Sequence, residues 1–269
     1  MEINRSNIFD IVNKCDLKPD KDYGQNFLVE PSICERIVKA LELTKEDIVL
    51  EIGPGLGSLT HFLSLSEAKI TIDDIDERMI AFLKIHYGNN PCINLVREDI
   101  RNLPVSEFDK IVGNLPYNIT TETIVYLLKN AKKCRKMLLM CQSETYAHVS
   151  DVEGKEYGPL SVLVHLLGSV KKLFSVKAGC FYPVPKCDST VFEIDISDEA
   201  DFDRSFCIYL FAKQMFLNRR KTISNNLKNT FKGIDAEKVL SQIGILPTKR
   251  PEEISPSQFV SLYDIVNHR

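Results

Sequence analysis

Short apolar segments rich in β-branched residues recur along the first two thirds of the chain. Seven of them have the length and composition of buried strands, at 48–52, 69–73, 93–96, 109–113, 136–142, 170–176 and 190–196. Segments with apolar residues at helical spacing lie between most of them, near 31–43, 58–66, 77–87, 121–132, 143–150 and 158–168. This alternation predicts an α/β fold with a mostly parallel sheet that helices cover on both faces.

The last two predicted strands differ from the others because no helical pattern separates them. Only the loop KAGCFYPVPKCDS connects them, so we expect them to pair antiparallel at or near one edge of the sheet. Beyond about residue 197 every apolar segment has helical spacing. We therefore expect an N-terminal extension over 1–22, an α/β domain over 23–197 and a small all-α domain over 198–269.

Composition narrows the class of protein without identifying it. Of 269 residues, 44% are hydrophobic and 26% are charged, as in an ordinary globular protein. No apolar run approaches the roughly 18 residues of a membrane span, and the N-terminus lacks the pattern of a secretion signal, so we expect a cytoplasmic protein. The eight cysteines show no CxxC spacing, and we expect neither a bound metal nor a disulfide framework.

The charge is distributed unevenly along the chain. A formal net charge of −3 argues mildly against a nucleic-acid partner. However, the segment NRRKTISNNLKNTFK, from Asn218 to Lys232, contains five basic residues and no acid, and KKCRK at 132–136 is a second basic run. Either could be a solvated helix face or a helix end, and this is the better interpretation of KKCRK. We expect the first segment to bind RNA phosphates, through Arg219, Arg220 and Lys221.

A glycine-rich turn, EIGPGLGSLT (51–60), follows the first predicted strand. Gly53 and Gly55 allow a tight turn and close approach of a ligand to the backbone, at the edge where doubly wound sheets bind ligands. The dinucleotide fingerprint GxGxxG would need a glycine where Ser58 stands, and Pro54 lacks an N–H for a pyrophosphate. The turn favours S-adenosylmethionine, although many such turns are glycine-rich for packing alone.

Acidic residues follow the next two predicted strands. Asp74 lies about 20 residues beyond the glycine turn, where an acid can accept hydrogen bonds from ribose hydroxyls. Asp73 and Asp76 are the alternatives for this role. Asp99 follows the third strand and could accept from an adenine amino group. The turn and both acids together predict a binding site for S-adenosylmethionine.

Asn114, Leu115, Pro116 and Tyr117 follow the fourth predicted strand, at the same edge of the sheet. These residues match the needs of one kind of methyl acceptor, an exocyclic amine on a nucleobase. Such an amine is a poor nucleophile, so it needs hydrogen-bond acceptors for its N–H groups and a fixed approach to the methyl donor. The side-chain oxygen of Asn114 and the carbonyl of Leu115, which the following proline restricts, can be those acceptors. The Tyr117 ring offers a stacking face worth roughly 1–3 kcal/mol. An isolated asparagine here would more often cap a turn.

Six motifs, in their order along the chain, resemble those of the rRNA adenine N6-dimethyltransferase family. They are YGQNFL (23–28), EIGPGLGSLT (51–60), NLPYNI (114–119), KEYGPLSV (155–162), FYPVPKCDS (181–189) and NRRKT (218–222). The resemblance covers essentially Tyr23 to the C-terminus. It implies a Rossmann-like class I methyltransferase fold that uses S-adenosylmethionine, with a seven-stranded, mostly parallel sheet whose last strands are antiparallel.

The most similar branch dimethylates two adjacent adenines in a hairpin near the 3′ end of small-subunit (16S) rRNA. This implies a monomer that acts on an immature 30S particle. Two alternatives stay open. One is an Erm-type enzyme that modifies an adenine of 23S rRNA, and the other is an assembly factor whose RNA binding is its primary role.

The resemblance also implies roles for individual residues. Asn114 would contact both the cofactor and the target amine, and Phe181 would stack on the target adenine opposite Tyr117, unless Phe181 is a core aromatic. The implied cofactor-binding positions are Asn26, Leu28, Gly53, Gly55, Asp74, Asp99, Ile100 and Asn114. The chain departs from the family pattern in having Asp74 where glutamate is usual and Pro159 where arginine is common.

Overall fold

The computed structural model describes residues 1–20 and 22–267. The helices in this part of the chain, in order, are α1 (Ile8–Lys14), α2 (Pro31–Ala40), α3 (Ser58–Leu63), α4 (Glu77–Tyr87), α5 (Thr120–Asn130), α6 (Ser143–Ser150), α7 (Pro159–Leu167), α8 (Phe202–Phe216), α9 (Ile223–Thr230), α10 (Ala236–Gln242) and α11 (Pro256–Asn267). The strands are β1 (Phe27–Leu28), β2 (Ile48–Ile52), β3 (Lys69–Asp73), β4 (Ile93–Val96), β5 (Lys110–Asn114), β6 (Lys136–Gln142), β7 (Gly168–Val176), β8 (Phe181–Tyr182) and β9 (Ser189–Ile196). None of these helices is both long and apolar enough to cross a membrane.

Seven of the strands form one sheet in the order β4-β3-β2-β5-β6-β9-β7. The strands from β4 to β6 are parallel to their neighbours, whereas β9 runs antiparallel to β6. The predicted α/β, Rossmann-like fold is confirmed, with the last two strands side by side at one edge. The apolar, β-branched segments form these strands because their side chains are buried, as in the fully buried Val49 and Leu50 of β2.

The strand order reverses between β2 and β5, and this reversal positions the site. From β2 the chain builds outward through β3 and β4, then returns to place β5 on the other side of β2. Ile52 is paired with Gly113, so the residues that follow them, Gly53 and Asn114, lie side by side at the carboxyl ends of β2 and β5. Ligands of open α/β sheets bind at such a point, outside the carboxyl ends of the strands.

A second, two-stranded sheet was not predicted. In it β1 pairs antiparallel with β8, with Phe27 opposite Tyr182 and Leu28 opposite Phe181. A two-residue strand has no periodicity to recognise, and its partner lies more than 150 residues away along the chain. This pairing determines where Phe181 points.

The N-terminal extension is part of the core of the sheet-containing unit. Ile3, Ile8, Val12 and Leu17 are buried and belong to the same apolar cluster as the β2 and β3 side chains. The segment before Tyr23 therefore contributes directly to the packing of this unit.

The chain divides into two compact units whose boundaries differ from the predicted domains. Unit 1 comprises Met1–Tyr146 and Lys171–Asp195, and unit 2 comprises Ala147–Val170 and the chain from Ile196 onward. The second predicted boundary lies at 197, whereas unit 2 also contains α7, which precedes it. The reason is packing, since Tyr157, just before α7, and Val162 within it are buried in a cluster with residues of α8, α9, α10 and α11.

Candidate active site

Two adjoining hollows lie in unit 1 at the carboxyl ends of β2, β3, β4 and β5. They share Tyr23, Gly53, Asp74, Ile75 and Pro116 in their walls, so they form one cleft. Eleven of the residues predicted for the site line it, namely Asn26, Leu28, Gly53, Gly55, Asp74, Asp99, Ile100, Asn114, Leu115, Pro116 and Tyr117.

The glycine turn has the conformation that its sequence suggested. Gly53 and Gly55 have φ of +63° and +54°, a region that L side chains rarely adopt. A Cβ on Gly55 would lie 2.8 Å from the Phe27 ring. The Gly55 N–H donates to Oδ2 of Asp74 at 3.2 Å. The turn is therefore packed against β1 on one side and joined to the predicted ribose acid on the other.

Asp74 is the best placed of the three candidate ribose acids. It is buried at the junction of the two hollows, and burial raises its pKa to about 6. Asp73 lines only the second hollow, and burial raises its pKa to about 7. Asp76 caps α4, and its oxygens already accept hydrogen bonds from Arg78 and Gln25. Only Asp74 therefore faces both parts of the cleft.

Asp99 and Ile100 lie in the wall of the second hollow. The Asp99 carboxylate accepts hydrogen bonds from the Arg101 guanidinium, one of them from Nε at 2.8 Å, and Arg101 holds the Asp99 pKa below its usual range. This pairing was not predicted from the sequence. Any ligand amine that donates to Asp99 would have to share the carboxylate with Arg101.

Glu51 is a site residue that the sequence analysis missed. It points into the first hollow from β2, is fully buried, and accepts from Oγ1 of Thr60 at 2.7 Å through Oε2. Its Oε1 has no hydrogen-bond partner. Burial raises the pKa of this carboxyl to about 8. A signal was present, because a glutamate inside the apolar strand IVLEI is unusual unless it has a role.

Asn114 presents a free acceptor to the cleft. Its Nδ2 donates to the carbonyl oxygen of Asn26 at 3.0 Å, whereas its Oδ1 is buried without a partner. The next residues form a rigid turn into α5, in which the Pro116 carbonyl accepts from Oγ1 of Thr120 at 2.8 Å. The Tyr117 hydroxyl is hydrogen-bonded to Oγ of Ser189 at 2.9 Å, which fixes the ring at the cleft wall.

Phe181 is not at the cleft, contrary to the expectation that it stacks on a target base. Its side chain is 2% exposed and belongs to the core cluster of unit 1. The β1–β8 pairing places it opposite Leu28. Its neighbour Tyr182 is partly exposed and contacts the exposed Phe9 ring edge-on, with ring centroids 4.8 Å apart. The alternative interpretation, a core aromatic, therefore describes this structure.

The three basic residues predicted to bind RNA differ in their surroundings within unit 2. Nη2 of Arg219 donates to the carbonyl oxygens of Gly154, Lys155 and Tyr157, at 3.3, 2.7 and 3.0 Å. Arg219 thus fastens the loop before α7, which is a structural role. Arg220, in contrast, has an exposed side chain, as does the next residue, Lys221.

The other basic run, KKCRK, is largely paired. Nζ of Lys133 lies 3.0 Å from Asp109, and Nζ of Lys136 lies 2.9 Å from Glu42 and 3.5 Å from Glu193. The run lies directly after the end of α5, so these contacts agree with its interpretation as a helix end.

A family model and curated relatives of this chain point to the same protein family. The family model of ribosomal RNA adenine dimethylase matches residues 16–268. A curated relative from Malacoplasma penetrans, named ribosomal RNA small subunit methyltransferase A, is 35% identical over 244 residues, which cover 89% of each chain. A relative of the same name from Latilactobacillus sakei is 35% identical over 283 residues, covering 96% of this chain and 93% of its own.

Two solved structures have the same fold. A dimethyladenosine transferase from Plasmodium falciparum superposes with a TM-score of 0.78 at 25% identity, covering 90% of this chain and 98% of its own. The 23S rRNA methyltransferase ErmE superposes with a TM-score of 0.70 at 24% identity, covering 90% and 100%.

Proposed function

The chain belongs to the ribosomal RNA adenine dimethylase family, and from this premise we propose that it dimethylates N6 of two adjacent adenines near the 3′ end of small-subunit (16S) rRNA, with S-adenosylmethionine as methyl donor. Its substrate is the immature 30S particle in the cytoplasm, and it acts as a monomer. The observation that carries the proposal is the buried, unpartnered Oδ1 of Asn114 at the wall of the cleft.

The cleft fits S-adenosylmethionine, which supplies an activated methyl group when bound. Oε1 of Glu51 lacks a partner and lies beside the glycine turn, where it can accept from an ammonium group. Gly53 and Gly55 let the backbone approach the ligand closely. Asp74, at the junction of the hollows, would accept hydrogen bonds from the ribose hydroxyls. Asp99 would accept a hydrogen bond from the adenine amine.

Asn114 and Leu115 would hold the target amine. The Asn114 Oδ1 accepts one N–H of the adenine N6 group, and the Leu115 carbonyl accepts the other. With both N–H groups held, the approach of the nitrogen to the methyl donor is fixed. Both acceptors also stabilise positive charge that develops on the nitrogen, so no strong base is needed for the transfer itself.

Tyr117 would provide the stacking face for the target base. The target adenine must unstack from its neighbours and turn into the cleft. Phe181 could join it only by leaving the core, and we assign it a packing role. Arg220 and Lys221 would bind phosphates of the folded RNA, which is recognised mainly by its shape and backbone.

Methyl transfer to ribosomal particles tests the proposal. Labelled S-adenosylmethionine is offered with 30S particles that lack these methyl groups, and with 50S particles and 23S rRNA as controls, and the modified base is then mapped. We expect N6-dimethyladenine at two adjacent positions near the 3′ end of 16S rRNA. Label confined to 23S rRNA would favour the Erm-type alternative and contradict the proposal.

The variant Asn114→Ala tests the residue on which the proposal rests. We expect its kcat/KM to fall about 100- to 1,000-fold, because a buried acceptor aimed at developing charge is lost. Asn130→Ala is a matched control, since its Nδ2 donates to the Tyr126 carbonyl at the end of α5, and it should keep activity. If Asn114→Ala loses methylation but still corrects a subunit assembly defect, RNA binding is the primary role.

A further inference from the structure

Gln25 lies in the wall of the first hollow and connects it to the N-terminus of α4, and its role is not explained by the chemistry above. Its Nε2 donates to Oδ2 of Asp76 at 2.9 Å, and its Oε1 accepts from the Asp20 N–H at 2.9 Å. Its own N–H donates to the Asp20 carbonyl at 3.1 Å. Both ends of the side-chain amide are therefore engaged, and they fasten this part of the chain to the beginning of α4.

Asp76 is a firm anchor for this contact. It is 3% exposed and also accepts from N, Nε and Nη2 of Arg78, at 3.0, 3.0 and 2.6 Å. Burial opposes its ionisation, but hydrogen bonds from Arg78 and Gln25 hold its pKa below the ordinary value. The Asp76 N–H donates to Oδ1 of Asp74 at 2.9 Å. The anchor is therefore joined directly to the proposed ribose acid.

On its other side, Gln25 precedes Asn26, whose carbonyl accepts from Nδ2 of Asn114 at 3.0 Å. A carboxamide can turn over and exchange its oxygen and its NH2 group. Turned over, the Asn114 oxygen would face the Asn26 carbonyl oxygen, and the NH2 group would take the place of the free acceptor. The position of the Asn26 carbonyl therefore selects the orientation in which Oδ1 is free.

We propose that Gln25 is a positioning residue, which holds the Asn26 carbonyl in place and thereby keeps Oδ1 of Asn114 available to the target amine. The contact also joins the catalytic amide to the acidic edge of the cofactor cleft, through Asp76 and Asp74. This inference rests on the proposed function. Without the Gln25 side chain, Asn26 shifts and Asn114 samples the unproductive orientation, so kcat falls more than the affinity for S-adenosylmethionine.

Kinetics of Gln25→Ala and of the similarly sized Gln25→Met test the proposal. We expect kcat to fall about tenfold to 100-fold and KM for S-adenosylmethionine to rise by no more than about threefold, because the misplaced group acts on the target amine. Gln258→Ala is the matched control. Its Oε1 accepts from the Ser255 N–H at 3.1 Å in unit 2, and it should keep its kcat. Variants of Gln25 with an unchanged kcat, beside an active wild type, would overturn the inference.

A reciprocal exchange tests the direct contact. Gln25→Glu alone sets two carboxylates against each other and should be at least as impaired as Gln25→Ala. Adding Asp76→Asn restores a donor and an acceptor in the reverse direction, and should recover about tenfold in kcat. A double variant as slow as Gln25→Glu would count against the pairing.

A measurement on the free protein separates this inference from the proposed function. The side-chain amide resonances of Asn114 can be assigned by their absence from spectra of Asn114→Ala. In Gln25→Ala we expect them to shift and their protons to exchange faster with solvent, whereas Gln258→Ala should leave them unchanged. Unaltered resonances would overturn the positioning role even if no rRNA were methylated. A wild type that methylates no rRNA would instead overturn the proposed function.

Discussion

At the scale of single residues, three buried carboxyl groups meet at the cleft. Glu51, Asp73 and Asp74 all have a raised pKa, and burial is the largest cause for each. Such groups weaken the folded state as the pH rises, because the unfolded chain gives up its proton before the folded chain does. The presence of three such carboxyl groups at one edge of the sheet is consistent with a binding role, because apolar side chains at these positions would avoid this loss of stability.

Glu51→Gln should change how the stability of the ligand-free protein depends on pH. The pKa of Glu51 in the folded protein, about 8, lies above the ordinary value of 4.5. Its contribution to the free energy of unfolding is therefore fully present below pH 4.5 and is lost as the pH rises from 4.5 to 8. In this window the free energy of unfolding should fall with rising pH more steeply in the wild type than in Glu51→Gln. The two slopes should differ by up to about 1 kcal/mol per pH unit. Urea denaturation at pH 5, 6.5 and 8 measures both slopes. The exposed Glu46→Gln is the control, and equal slopes for all three proteins would refute the prediction.

At the scale of secondary-structure elements, the turn between β2 and α3 combines backbone strain with close packing. Gly55 needs a positive φ and also leaves room for the Phe27 ring of β1. The turn and β1 both line the first hollow. A side chain at this glycine would therefore disturb two walls of the cleft together.

Gly55→Ala should destabilise the protein by about 2–4 kcal/mol, from left-handed strain and a clash with Phe27. It should also weaken binding of S-adenosylmethionine. Gly154→Ala separates the two causes, because φ there is +91° but no atom lies within 4 Å of the added Cβ. It should cost only about 1–2 kcal/mol. Gly179→Ala has neither feature. Urea denaturation and calorimetric titration give both quantities, and an equal loss in Gly55→Ala and Gly154→Ala would contradict the clash.

At the scale of the whole molecule, the net charge of −3 conceals a local basic segment. Binding to RNA depends on cations that are free to replace counterions on the phosphates. Arg220 and Lys221 are exposed, whereas Arg219 is taken up by three carbonyl oxygens. The same short segment therefore contributes to the packing of unit 2 and also presents two exposed cations, which we propose bind RNA.

Reversing the charge of Arg220 and Lys221 to glutamate should weaken RNA binding and leave the melting temperature nearly unchanged. The slope of log K against log salt should become shallower by about one for each phosphate that the protein no longer neutralises. The control is the double variant Lys45→Glu with Lys69→Glu, which makes the same change in net charge. Both lysines are exposed and lie near the amino ends of β2 and β3, away from the cleft at the carboxyl ends. An identical salt slope in both double variants would show that these two residues do not bind phosphates. Arg219→Ala should lower the melting temperature instead.

The sequence by itself determined the elements of the sheet and much of the cleft. Short runs of apolar, β-branched residues are enough to locate strands such as Ile48–Ile52, and the carboxyl ends of parallel strands meet at one edge whatever their order. For this reason Asp74 and Asn114 could be assigned to one site before any contact was known.

Only the tertiary structure decided which of these groups are free to act. Phe181 is buried because β8 pairs with β1, Arg219 is occupied by the loop before α7, and α7 packs within unit 2. Conversely, Oδ1 of Asn114 is free because Nδ2 is held by Asn26. The pairings of Phe181, Arg219 and Asn114 each join residues more than 60 positions apart along the chain. Periodicity and motif spacing record only local preferences, so they cannot specify which donor meets which acceptor once the chain has folded.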